Sequence, residues 1–128
     1  MITAGSLNRR GRNHFDKQEN GISYNHAYTV LSAHEYRHPM SWDVVIRLLK
    51  IRNPWGIESY NGPYSDKSEL WKSHMRKELG AEANNDGIFF MPIEEYKKSF
   101  ESTTISHDPS KMSRAHFLVL NDSNKLSI

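Results

Sequence analysis

The chain has 128 residues, one domain's worth, long enough to bury roughly two thirds of its unfolded surface without a disulfide or a metal to hold it together. Its 17 basic residues against 15 acidic ones leave a formal charge of +2, too balanced for a protein whose main partner is nucleic acid, and no apolar run approaches the roughly 18 residues of a membrane span. It has no cysteine, which excludes a disulfide scaffold, a thiolate metal site and a cysteine nucleophile within the chain.

The first predicted element is a strand over residues 1–7, followed by a polar, basic loop ending at the Asn20-Gly21 turn. Met1 is not followed by the charged and apolar regions of a secretory signal, so the expected setting is cytoplasmic. Arg9, Arg10 and Arg12 read as solvated loop residues and are assigned no role. Over residues 22–33 the even positions Ile22, Tyr24, His26, Tyr28 and Val30 form one face of a strand, with His26 at its middle. A polar loop at 34–41 leads to a buried strand at 44–51, which stops at Asn53-Pro54-Trp55-Gly56.

Asp66 and Glu69 have capping-box spacing and predict a helix opening there, with Leu70, Trp71, Met75 and Leu79 inward and Gly80 as its stop. Asn85-Asp86-Gly87 reads as a turn and 88–91 as a short strand. Pro92 suits the first turn of a second helix, with Ile93, Tyr96 and Phe100 on its inner side. Strands are predicted at 103–107 and 116–120, the second turning at 121–124. Strands at both ends with two short helices between them give an α+β fold with mainly antiparallel strands.

Two side chains invite chemistry: His26 among aromatics, and Asn53 fixed before a proline at a strand end. Taken alone, such a histidine is more often a hydrogen-bonded core residue than a catalyst, and Asn-Pro is an ordinary turn. The joint pattern is more specific. Asn25-His26-Ala27-Tyr28-Thr29-Val30 followed by Leu49-Lys50-Ile51-Arg52-Asn53-Pro54-Trp55-Gly56 strongly resembles the calpain family of cysteine proteases. The resemblance continues through Gly62-Pro63-Tyr64-Ser65-Asp66 and Asp86-Gly87-Ile88-Phe89-Phe90-Met91, and covers about residues 5–107.

What the resemblance implies is a papain-like fold, with residues 1–107 as its β-rich second half and 108–128 as a C-terminal extension where a β-sandwich commonly follows the core. His26 then takes the proton of a cysteine thiol and returns it to the leaving amine, Asn53 orients the imidazole by accepting its hydrogen bond, and Trp55 covers the pair. The nucleophile belongs to a cysteine-bearing partner half, and the substrates are proteins. The alternative is a non-catalytic calpain-like module that binds a protein partner. If the pair is catalytic, the strand carrying His26 and the strand ending at Ile51 must be neighbours for Asn53 to reach the ring.

The residues themselves require no cofactor, but calpain cores typically bind a calcium ion in each half through oxygen ligands on loops. Here the first loop places Ser59 and Asp66 at the ligand positions, with Glu58 adjacent, and the second places Asp86 and Ile88. An isoleucine cannot ligate calcium. Asp66, Asp86 and Glu58 are therefore weak candidates for a degraded site, and Asp66 as helix cap and Asp86 as turn residue have sufficient structural work.

Overall fold

The apolar run Val44-Val45-Ile46 with Leu48-Leu49 and Ile51 builds the strand around which the fold is organised. The computed structural model describes residues 1–57, 59–81 and 86–106, together with the backbone of 126–127. The elements run β1 (Ile2–Ser6), β2 (Ala27–Arg37), β3 (Val44–Arg52), α1 (Ser73–Leu79), β4 (Ile88–Pro92), α2 (Ile93–Ser99), β5 (Phe100–Ile105) and β6 (Leu126–Ser127). They form one sheet of order β4-β3-β2-β1-β5-β6, antiparallel from β4 to β5, with β6 parallel to β5. The α+β class and the antiparallel character are as the sequence predicts.

Alternation along β3 divides its apolar residues between the two faces of the sheet. Leu49 and Ile51 pair with Met91 and Phe89 and join Tyr28, Val30, Tyr96 and Phe100 in the larger core. Leu48 and Phe90 point the other way and pack with Ala81, against which Trp71, Tyr64 and Leu79 lie. β3 is thus covered on both sides, which is why it reads as a continuous apolar run rather than as an alternation. In the larger core Tyr28, Phe100 and Tyr96 meet ring to ring, Tyr28 edge-on to Phe100 at 5.3 Å and Tyr96 stacked on Phe100 at 4.7 Å. Burial raises the pKa of Tyr96, whose hydroxyl bonds to that of Thr103, so the ring stays neutral in the core.

Several boundaries differ from the sequence expectation. The second strand begins at Ala27, not Ile22, and continues through the predicted loop to Arg37. Ile22 and Ser23 are buried, but in a hook: Gln18 N–H donates to Ile22 O and Tyr24 N–H to Asp16 O, each at 2.8 Å. Asn25, at φ 50°, then turns the chain out of the hook, in a left-handed conformation that asparagine tolerates better than most side chains. His26 consequently lies just before β2 instead of at mid-strand.

The first helix begins at Ser73, with Lys72 as N-cap and no side-chain cap bond, so Asp66 and Glu69 do not open it. It ends at Gly80 as predicted. The next strand and helix agree with expectation, Pro92 standing as N-cap of α2. The last described antiparallel strand starts at Phe100, three residues before the predicted start. The predicted strand at 116–120 and turn at 121–124 lie outside the described residues.

Candidate active site

The register Thr29↔Arg52 sets the start of β2 beside the end of β3. Asn53 directly follows Arg52, and His26 stands one residue before β2 and three before Thr29; the turns at the two strand ends bring them together, with His26 Nε2 3.1 Å from Asn53 Oδ1. Asn53 is 2% exposed, and every polar group it carries is engaged. Its main-chain N–H donates to Gly87 O at 2.8 Å, and its carbonyl accepts the Gly56 N–H at 2.9 Å. Its side-chain Nδ2 donates to Ile57 O, and its Oδ1 accepts the Trp55 N–H, both at 3.0 Å.

These last two bonds decide the chemistry of the ring. A backbone N–H can only donate and a backbone carbonyl can only accept, so the amide of Asn53 has one allowed orientation, with oxygen toward His26. An amide oxygen accepts only, so the neutral imidazole must carry its proton on Nε2. Its lone pair is then on Nδ1, and among the described residues nothing hydrogen-bonds to that atom.

Trp55 and Tyr28 bracket the ring. The indole lies over His26 at a centroid distance of 4.1 Å, tilted by 37°, and the Tyr28 ring meets it edge-on at 4.9 Å. Burial raises the Tyr28 pKa, and its hydroxyl accepts the Ser23 N–H at 3.1 Å, so it is a neutral wall rather than a second acid. Trp55 is 45% exposed, and Phe15 stacks near it at 6.0 Å. The basic loop reaches the site through Asn25: its Oδ1 accepts the Arg9 N–H at 3.0 Å, and its Nδ2 donates to Arg12 O at 2.6 Å.

Gly87 supports this arrangement from below. At φ +81°, with the position of an added Cβ only 2.9 Å from both Asn53 O and Gly56 Cα, it admits no side chain without moving the turn that holds Asn53. Gly87→Ala should cost about 1–3 kcal/mol in chemical denaturation and weaken the protection of the His26 ring proton against solvent exchange. An unchanged denaturation midpoint would show that the turn is not so constrained.

Where the resemblance implies calcium ligands, the described side chains Ser59 and Asp86 have hydrogen-bond partners within the chain. Ser59 donates its hydroxyl to Gly21 O at 2.7 Å, Asp86 Oδ1 accepts the Ile88 N–H at 2.9 Å as a turn cap, and Ile88 has no oxygen to offer. Asp66 accepts the Arg76 guanidinium on its main-chain oxygen at 2.6 Å, and Glu58 lies outside the described residues. Among the described residues no three of His, Cys, Asp and Glu cluster as metal ligands do.

The family model described as "Calpain family cysteine protease" matches residues 1–107. The chain belongs to this family. Rat Calpain-9 is 38% identical over 89 residues, which is 66% of this chain and 12% of the relative. Calpain clp-1 of Caenorhabditis elegans is 33% identical over 93 residues, 70% of this chain and 12% of that protein. The Arabidopsis thaliana calpain-type cysteine protease DEK1 is 37% identical over 84 residues, 64% of this chain and 4% of that much longer protein. The chain thus spans a small part, at most 12%, of each of these calpains. It has the α+β, mainly antiparallel form expected of the β-rich half of a papain-like core. Among the described residues, no helix is long and apolar enough to cross a membrane.

Sequence reasoning without the family left His26 and Asn53 unresolved, and it missed Ser6, which touches the main chain of His26. Only the β1–β2 register could have revealed Ser6, and no local motif carries that information.

Proposed function

We propose that the chain supplies the histidine and asparagine of a calpain-type cysteine endopeptidase whose nucleophile comes from a separate cysteine-bearing half. The observation that carries this reading is the contact of His26 Nε2 with an Asn53 amide of fixed orientation, which leaves Nδ1 as the free base. Once a thiol stands beside Nδ1, proton transfer gives the thiolate and an imidazolium still bonded to Asn53. The thiolate attacks the peptide carbonyl, and Nδ1–H then protonates the departing amine. The same nitrogen next removes a proton from the water that hydrolyses the acyl-enzyme. Asn53 transfers no proton. In this reading Trp55 shields the His–Asn bond from water, the substrates are proteins, and the setting is cytoplasmic, supported by the family membership. The direct test is a chimaera in which residues 1–107 replace the corresponding segment of an active calpain.

A second reading, a non-catalytic module that docks on a protein partner, is favoured by the residue types Ser59 and Ile88 at positions where the family resemblance implies carboxylate ligands for calcium. We accordingly propose that this half holds no tight calcium ion. Calorimetric titration of the chain should give a dissociation constant weaker than about 10⁻⁵ M, the range of sensor sites. Tighter binding that is lost in Asp66→Ala or Asp86→Ala would restore calcium to the mechanism.

A further inference from the structure

His26 lies one residue outside β2, past the left-handed turn at Asn25, where a strand end ordinarily frays. Its main chain is nonetheless held by a single residue of β1. The Ser6 hydroxyl accepts the His26 N–H at 2.9 Å and donates to the His26 carbonyl at 3.0 Å, and the Ser6 N–H donates to that same carbonyl at 2.9 Å. A hydroxyl has one proton and two lone pairs, so it can serve both groups at once.

In a regular antiparallel ladder, the partner's main-chain carbonyl would accept the His26 N–H. The pairing of β1 with β5 shifts register between Gly5 and Ser6, and at this irregularity the Ser6 side chain takes over the acceptor's place. Ser6 is 4% exposed, so water competes poorly for these bonds. The imidazole therefore has anchors at both ends: its Nε2 on Asn53, and its backbone on Ser6. A single neutral hydrogen bond is a modest restraint, so loss of the hydroxyl, which leaves the His26 main chain on the Ser6 N–H alone, loosens the ring between Trp55 and Tyr28.

We propose that Ser6 is a positioning residue for His26, keeping Nε2 on Asn53 and Nδ1 directed away from it. The functional meaning rests on the catalytic reading of His26 given above.

The test follows the His26 ring by nitrogen NMR in the full chain. The ring nitrogens report the tautomer, and solvent exchange of Nε2–H reports the bond to Asn53. In the unsubstituted chain, the neutral ring is a single Nε2–H tautomer with a slowly exchanging proton. Ser6→Ala speeds that exchange about tenfold and mixes the tautomers, while the Tyr28 and Val30 amides keep their rates, a pattern that a merely structural serine does not give. Ser6→Thr keeps the hydroxyl and the slow exchange. Ser6→Val, equal to threonine in shape, loses both, and this pair carries the test if Ser6→Ala does not fold. A protected Nε2–H indifferent to residue 6 overturns the role of Ser6 alone. Free exchange in the unsubstituted chain overturns the His–Asn pair, and the role of Ser6 with it.

Discussion

Installed in place of the second half of an active calpain, residues 1–107 should give a working peptidase, and His26→Ala should then lower kcat/KM by about 10³-fold or more. The expected size follows from two tasks falling on one atom. On the proposed mechanism Nδ1 would both generate the thiolate and protonate the leaving amine, so its loss would remove the activation of the nucleophile and the general acid together. Asn53→Ala should cost less, because the base survives and only its tautomer and orientation are lost. The chain by itself should hydrolyse neither casein nor a fluorogenic peptide, since it contains no cysteine for His26 to activate. A folded chimaera without activity would transfer the assignment to the protein-binding module. Hydrolysis by the purified chain, abolished by His26→Ala, would reveal a nucleophile of another kind.

For stability, the largest single-residue effect is expected at Gly21. Its φ is +90°, and the position an added Cβ would take is 1.9 Å from the carbonyl oxygen of Ser59. The obstacle is backbone, so no rotamer change relieves it. The same crossing is tied by the Ser59 hydroxyl on Gly21 O and by the Asn61 N–H on Asn20 O at 2.8 Å. Gly21→Ala must break this tie or distort it, and we expect a loss of about 3–5 kcal/mol from the combined strain and overpacking. That is a large share of the roughly 5–15 kcal/mol by which domains are stable. Urea denaturation measures it directly, and a change under about 1 kcal/mol would mean that the hook and the 59–61 segment separate easily.

The strands and their sides were legible where burial is two-sided or alternation is clean. Leu48, Leu49 and Ile51 announce β3, and Pro92 with Ile93 and Tyr96 announces α2. The hook was not legible, because Ile22, Tyr24 and His26 mimic a strand's period while Asn25 breaks it through φ, which no hydropathy pattern records. The capping box failed for a different reason. The Trp71 indole N–H donates to the carbonyls of Tyr64 and Ser65, and the Arg76 guanidinium occupies the carbonyl of Asp66. Those tertiary bonds hold 64–71 as turns and take the acceptor that a helix opening at Asp66 would need. His26 and Asn53 were legible only as a family pattern, since their contact depends on the β2–β3 register.

β1 has a further consequence for how the chain acquires its shape. On one side it meets β2, a neighbour in sequence, but on the other it meets β5, with Ile2 opposite Ile105. Closing a loop of that span costs entropy before any contact returns it, and topologies with such remote pairings fold slowly. During synthesis β2 and β3 can pair while β1 still lacks one neighbour. Ser6 and the larger core beneath it then wait for Phe100–Ile105 to leave the ribosome. The histidine is thus made early and seated late, and a nascent chain stalled before β5 would carry both members of the pair on a sheet not yet able to fix them.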